Sequence, residues 1–182
     1  MKHLSEDSEK RAALMVADLM AAAARTAPKA CGEDDIEVVI LDGIDKDRLA
    51  SALEKAGKER EIQFFVRDAG NLYDSHCVVL IGAVDQPLGL EDCHLCGFEN
   101  CGEMKAAGTN CAFNITDLGI AVGSAVSVAA DHRIDNRVLY SAGKIAVEAG
   151  FFSEEVKVGY AIPLSTSSKS IYFDRDPGAV LV

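Results

Sequence analysis

Positive charge is what this chain has too little of. Its 182 residues carry 18 Lys and Arg against 29 Asp and Glu, a formal net charge of −11. Nucleic-acid binders need a Lys/Arg field against phosphate, and anionic membrane surfaces ask for the same, so neither partner is expected. Long apolar runs are missing too. The longest clean one, about Cys77 to Val84, falls far short of the roughly 20 residues of a membrane-spanning helix. The opening Met1-Lys-His-Leu-Ser-Glu-Asp lacks the charged-then-apolar layout of a secretory signal. A cytoplasmic protein is therefore expected, in a compartment where clustered cysteines hold metal more often than they form disulfides. Also missing are a Ser-His-Asp arrangement, a P-loop and a G-x-G-x-x-G. Gly119-Ile-Ala-Val-Gly123 lacks the third glycine and sits inside a helical pattern rather than ahead of one. No repeat or low-complexity segment is present.

What remains is an ordinary globular composition, 49% hydrophobic and 26% charged, too apolar for a disordered chain. The length suits a single domain over residues 1–182 with a buried core.

The periodicity predicts the elements. Ser8 or Asp7 is placed to cap a helix to about Arg25, with polar Arg11, Asp18 and Arg25 on one narrow stripe. Such a helix is expected to be buried on most of its circumference. Pro28 and Gly32 end it, and Cys31 in the exit loop reads as a half-buried thiol without a functional role. Ile36–Leu41 is a β-branched run closed by Asp42-Gly43, a strand. Leu49, Ala52, Leu53 and Ala56 keep helical spacing up to Gly57, and Ile62, Phe65, Ala69 and Leu72 mark another helix. His76–Val84 reads as a strand covered on both faces, with Cys77 in the core. Thr116 or Asp117 would cap a helix to about Ala130, along which Gly119, Gly123 and Ser127 form a small-residue stripe. Asp135 or Asn136 would start a further helix carrying Val138, Ala142, Ile145 and Ala149, ended by Gly150. Val156, Val158, Tyr160 and Ile162 alternate as a strand does. About five helices and three or four strands in mixed order predict an α+β (mixed α/β) domain, helices packed on a small sheet.

The chemistry concentrates in a cysteine-rich segment, residues 89–112. Four of the six cysteines, Cys93, Cys96, Cys101 and Cys111, are spaced C-x2-C-x4-C-x9-C. Four thiolates suit a soft metal centre, tetrahedral zinc or an iron–sulfur cluster. The spacing is neither the bacterial nor the plant ferredoxin run, and it lacks the second C-x2-C of a zinc ribbon, so the metal stays open. Interleaved Gly97, Gly102 and Gly108 let backbone N–H groups approach sulfur. Glu91, Asp92, Glu99 and Glu103 add negative charge that would lower a cluster's reduction potential and has no evident use beside zinc. His94 reads as a solvent-facing imidazole, and His76 and His132 as structural. Ser165–Ser168 with Lys169 could hold a phosphate, but reads better as a hydrated turn.

These residues also carry a resemblance. C-x2-C-x4-C, Asp117-Leu-Gly-Ile-Ala-Val-Gly-Ser-Ala125, Asp135-Asn-Arg137, Gly159-Tyr-Ala-Ile-Pro-Leu-Ser165, Lys169 and Tyr172-Phe-Asp-Arg175 are similar to a family of uncharacterised prokaryotic proteins containing a ferredoxin domain. The similarity spans almost the whole chain. It implies an iron–sulfur cluster on Cys93, Cys96, Cys101 and Cys111, and names no reaction. A second resemblance is to the flavin-dependent nitroreductases. Ala24-Arg-Thr-Ala-Pro28 ahead of a strand, the helix from Asp117 and the strand Lys157-Val-Gly-Tyr160 carry it. It implies an α+β homodimer with FMN at the subunit interface, and Lys169 and Arg175 as contacts to the flavin phosphate. That family's Arg-x-Ser-x-Arg segment is not found ahead of the first helix.

Three functions follow as expectations. One is an iron–sulfur protein in electron transfer or a redox reaction, docking a redox partner through its acidic face. The second is a zinc-stabilised binding module without catalysis, and the third an FMN-dependent oxidoreductase of nitroreductase type.

Overall fold

Apolar side chains on both faces of one strand organise the molecule. The computed structural model describes residues 2–173. Its sheet has four strands: β1 Ile36–Asp42, β2 Cys77–Val84, the two-residue β3 Asp135–Asn136, and β4 Val156–Ser165. They are ordered β1-β2-β4-β3 and every pairing is antiparallel. Central β2 runs in register with β1 from Ile36↔Ala83 to Asp42↔Cys77. All of β2 but Val84 is buried, as its unbroken apolar sequence predicts.

Alternation sends β2 side chains into two separate cores. On one face Val79 and Ile81 meet helices α1 (Ser5–Thr26) and α5 (Ala112–Asp131) through Val16, Met20, Leu118 and Ala125. On the other, Val78 and Leu80 meet α2 (Gly43–Glu59), α3 (Gln63–Asp74) and α6 (Tyr140–Glu148) through Leu49, Leu53, Phe65 and Ile145. The fold is α+β, helices on a small sheet. The short α4 (Cys101–Ala106) lies in the long connection between β2 and α5. The closest approach is α6 on β4. A Cβ placed on Gly143 would stand 2.1 Å from Gly159 O, so only glycine lets the helix lie there.

Three boundaries differ from expectation. Neither Ser8 nor Asp7 caps α1, which begins at Ser5; Ser8 Oγ donates back to Leu4 O at 3.2 Å. Nor is α1 buried on most of its surface, because the sheet and α5 cover one side only, and Met15 (55% exposed) and Leu19 (42%) face outward. Helix α5 starts at Ala112 rather than after Thr116 or Asp117. The Asp117 carboxylate is engaged elsewhere, accepting from Ala30 N at 3.1 and 3.0 Å, and Thr116 Oγ1 donates to Ala112 O. Helix α6 starts at Tyr140 because Asp135 and Asn136 are drawn onto the sheet edge opposite Ser165 and Leu164. Leu139 continues that edge, bonded to Ala161 through N–H···O distances of 2.8 and 3.1 Å.

Among the described helices α5 is long and apolar enough, by length and composition, to cross a membrane. Here Leu118, Ala121 and Ala125 bury one of its faces in the core it shares with α1 and the sheet.

Candidate metal centre

The loop between β2 and α5 folds around its cysteines. Gly97 at φ +83° closes a turn with its N–H on His94 O at 2.9 Å, and Gly108 at φ +67° turns the chain out of α4. Gly102 is helical instead, inside α4. Asn100 starts that helix: its Oδ1 accepts from Glu103 N at 3.0 Å while its Nδ2 donates to Glu103 Oε1 at 3.1 Å. The bond from Glu103 N makes Asn100 a side-chain N-cap, and an Asn three residues ahead of a Glu signals such a helix start in the sequence.

Cys93, Cys96, Cys101 and Cys111 all line one cavity of about 240 Å³. Leu90, Leu95, Phe98, Met104 and Phe113 supply its apolar wall, and Glu91, Asp92 and Glu99 its acidic rim. Cys101 is the first residue of α4 and Cys111 the N-cap of α5. All six cysteines are free thiols: Cys111 and Cys77 are buried, Cys31 is exposed, and the other three are half-buried. Among the described residues, no three His, Cys, Asp or Glu side chains stand close enough to share a metal ion. The structure therefore gathers the four thiols around one space without closing them on a point.

The donor set fits a soft centre in kind. It is four thiols, uncrosslinked, beside the apolar side chains of the cavity wall. Helix α5 begins at that wall with no side chain capping it, so its first-turn N–H groups and the positive end of its dipole favour anionic sulfur there. His94 lines the same cavity but is half exposed, with Nε2 3.3 Å from Asp92 Oδ1 and Nδ1 3.2 Å from Phe98 O.

The other sequence candidates lie elsewhere. Cys77 is inside the sheet, where burial pushes its thiol up to about 12. Cys31 sits in the exit loop of α1 at φ +57°. His76 Nε2 bonds Thr166 Oγ1 at 2.9 Å, a structural contact. His132 ends α5, exposed. Ser167, Ser168 and Lys169 form an exposed turn after β4, and Lys169 is not among the residues lining the cysteine cavity. Arg175 lies outside the described residues.

A family model described as uncharacterized protein containing a ferredoxin domain matches residues 107–175. Of the four loop cysteines that stretch holds Cys111. An uncharacterized protein of Archaeoglobus fulgidus is 42% identical over 184 residues, covering 96% of this chain and 98% of its own. The chain belongs to this ferredoxin-domain family. Solved structures add the fold. A nitroreductase from Lactococcus lactis in complex with nicotinic acid superposes with a TM-score of 0.60 at 11% identity, over 86% of this chain and 79% of its own. The FMN-dependent nitroreductase NfnB from Mycobacterium smegmatis gives 0.58 at 17%, over 85% and 78%. A BluB-like flavoprotein from Clostridium difficile gives 0.57 at 19%, over 87% and 86%. At such identities they speak for a shared fold alone. This chain thus has a nitroreductase-like fold, with the cysteine loop lying between its β2 and α5.

Proposed function

We propose that this member of the ferredoxin-domain family is an iron–sulfur protein serving electron transfer or a redox reaction, with Cys93, Cys96, Cys101 and Cys111 as ligands. The observation that carries it is that all four thiols face one cavity and are free. When bound, a cluster supplies one-electron chemistry. The chain's own part is to hold it: thiolates from the loop, apolar cover from Leu90, Leu95 and Phe98, and N–H donation from the start of α5. The acidic rim tunes the centre toward low potential and favours a basic redox partner. Replacing Cys111 by Ser tests the ligand set. The variant should lose the visible charge-transfer absorbance of the anaerobically purified protein while keeping its far-ultraviolet circular dichroism. An unchanged visible spectrum would remove Cys111 from the site. Zinc held by the same thiols is the competing outcome, recognised by a colourless protein carrying about one zinc per chain.

A second reading rests on the fold. The nitroreductase-like frame favours a homodimer with FMN between subunits, Lys169 and Arg175 reaching its phosphate. For the dimer, α5 presents exposed Ile115 and Ile120 around Gly119 and Gly123, whose missing Cβ atoms leave open space. Titrating FMN into the purified chain and measuring its mass in solution tests both; quenching of flavin fluorescence by a dimer supports this reading. Free cysteines and the acidic surface favour the cytoplasm as its compartment.

A further inference from the structure

The cysteine loop leaves the sheet at Val84 and ends where α5 begins, and one buried pair of side chains ties those two roots together. Asn114, in the first turn of α5 and 1% exposed, donates from Nδ2 to Gln86 O at 3.1 Å and to Asp35 Oδ2. Asp35, 4% exposed, accepts on its backbone carbonyl from Val84 N at 2.8 Å. Each side chain has a second buried oxygen, Asp35 Oδ1 and Asn114 Oδ1, without a hydrogen-bond partner. Buried acceptors left unpaired are costly, and an ionised carboxylate relieves neither, since both atoms only accept. One proton taken from solvent onto Asp35 Oδ1 turns it into a donor for Asn114 Oδ1 and closes the two-bond ring that a carboxylic acid forms with an amide.

We propose that Asp35 and Asn114 form a proton-carrying clamp, which pins both roots of the cysteine loop when Asp35 is protonated and loosens when the proton leaves. The clamp is independent of what the thiols hold. Its surroundings retain the proton. Asp34 beside it, Asp85 at the loop root and Asp117 on α5 are acidic. Arg25 is engaged by Asp34 and by Ile36 O at 3.0 Å. Lys29 Nζ, 3.9 Å from Asp34, is bound to the carbonyls of Ala24, Arg25 and Ala27 at 3.0, 2.7 and 2.9 Å. Burial raises the Asp35 carboxyl above its ordinary value, the bond from Asn114 opposes this, and the charges of Asp117 and Asp34 add to it. A raised carboxyl binds in the folded state a proton that the unfolded chain has released. The stabilisation is therefore whole below the ordinary Asp value and is lost as pH rises through the raised one.

Hydrogen exchange of the full chain, read by mass spectrometry and normalised to intrinsic rates, tests the clamp. In the wild type, protection of peptides covering 85–92 and 109–117 should fall about tenfold across that pH window, the worth of roughly one hydrogen bond, while β2 and β4 peptides hold. Asp35→Asn donates to Asn114 Oδ1 at every pH, so it should keep the protection and abolish the fall. Asn114→Ala should remove protection throughout; if it does not fold, the wild type against Asp35→Asn decides alone. An Asp35→Asn loop as open as that of Asn114→Ala, or a wild type whose loop ignores pH, overturns the proposal.

Discussion

Adding one methyl group at Gly143 should unfold more of this protein than any surface change. The Cβ of Gly143→Ala would stand 2.1 Å from Gly159 O, 2.4 Å from Tyr160 Cα and 2.6 Å from Gly159 C. Carbon contacts settle at about 3.5–4.0 Å, so α6 must retreat by more than about 1 Å. All three obstacles are backbone of β4, which is held by β2 along its length and cannot swing aside as a side chain would. Retreat opens a gap under Ala142, Ile145 and Ala146, which belong to the core on that face. A gap of about 0.5–1 Å already forfeits a quarter to a half of each dispersion contact. Overpacking commonly costs about 1–3 kcal/mol, and with rigid obstacles the upper end applies, about 3 kcal/mol. At about 2–4 °C per kcal/mol for a chain of this size, Tm should drop by about 6–12 °C. Gly70→Ala is the control: it lies inside α3 with nothing within 4 Å of the added Cβ. Helix propensity alone should make that variant about 1 kcal/mol more stable. Urea unfolding followed by circular dichroism measures both. A Gly143→Ala variant within about 0.5 kcal/mol of wild type, the range of an ordinary surface substitution, would refute the packing described for α6.

Lys46, 5% exposed, donates to Leu72 O at 2.7 Å and Tyr73 O at 3.0 Å, closing the end of α3. Lys46→Met keeps its stem and removes those charged bonds, so denaturation should register a loss of about 1.5–3 kcal/mol; no loss would mean water replaces them. The six thiols should also divide by exposure. Cys31 should be alkylated in the native protein, and Cys77, 0% exposed with its thiol pushed up to about 12, only after unfolding. Peptide mass spectrometry reads both, and native labelling of Cys77 would contradict its place inside the sheet. Removing bound metal should leave the two cores folded and affect exchange mainly in 89–112, because neither core draws on the loop cysteines.

The strands were legible because β-branched runs such as Ile36–Leu41 and Cys77–Val84 carry their structure locally. The helix starts were not. Asp117 has the chemistry of a cap, yet its partner is the N–H of Ala30, 87 residues away. Asp135 likewise has a capping side chain, but its backbone is claimed by Ser165 on the sheet edge. Asn100 and Glu103 did advertise α4 through their spacing, so that helix could have been read. In the site, spacing alone named the four cysteines, and the structure adds that they share a cavity. No spacing signals Asp35 and Asn114. A buried Asn among the Ala, Gly and Leu of α5 becomes informative only once its contacts on Gln86 and Asp35 are visible.

The central claim is that Cys93, Cys96, Cys101 and Cys111 hold one iron–sulfur centre. Iron, zinc and acid-labile sulfide counted per chain in an anaerobically purified sample test it most directly. Iron and sulfide in near-equal amounts, with zinc at trace level and both lost in Cys93→Ser, is the expected result. A colourless protein carrying neither, or carrying about one zinc per chain as four-thiolate zinc sites do, would contradict it.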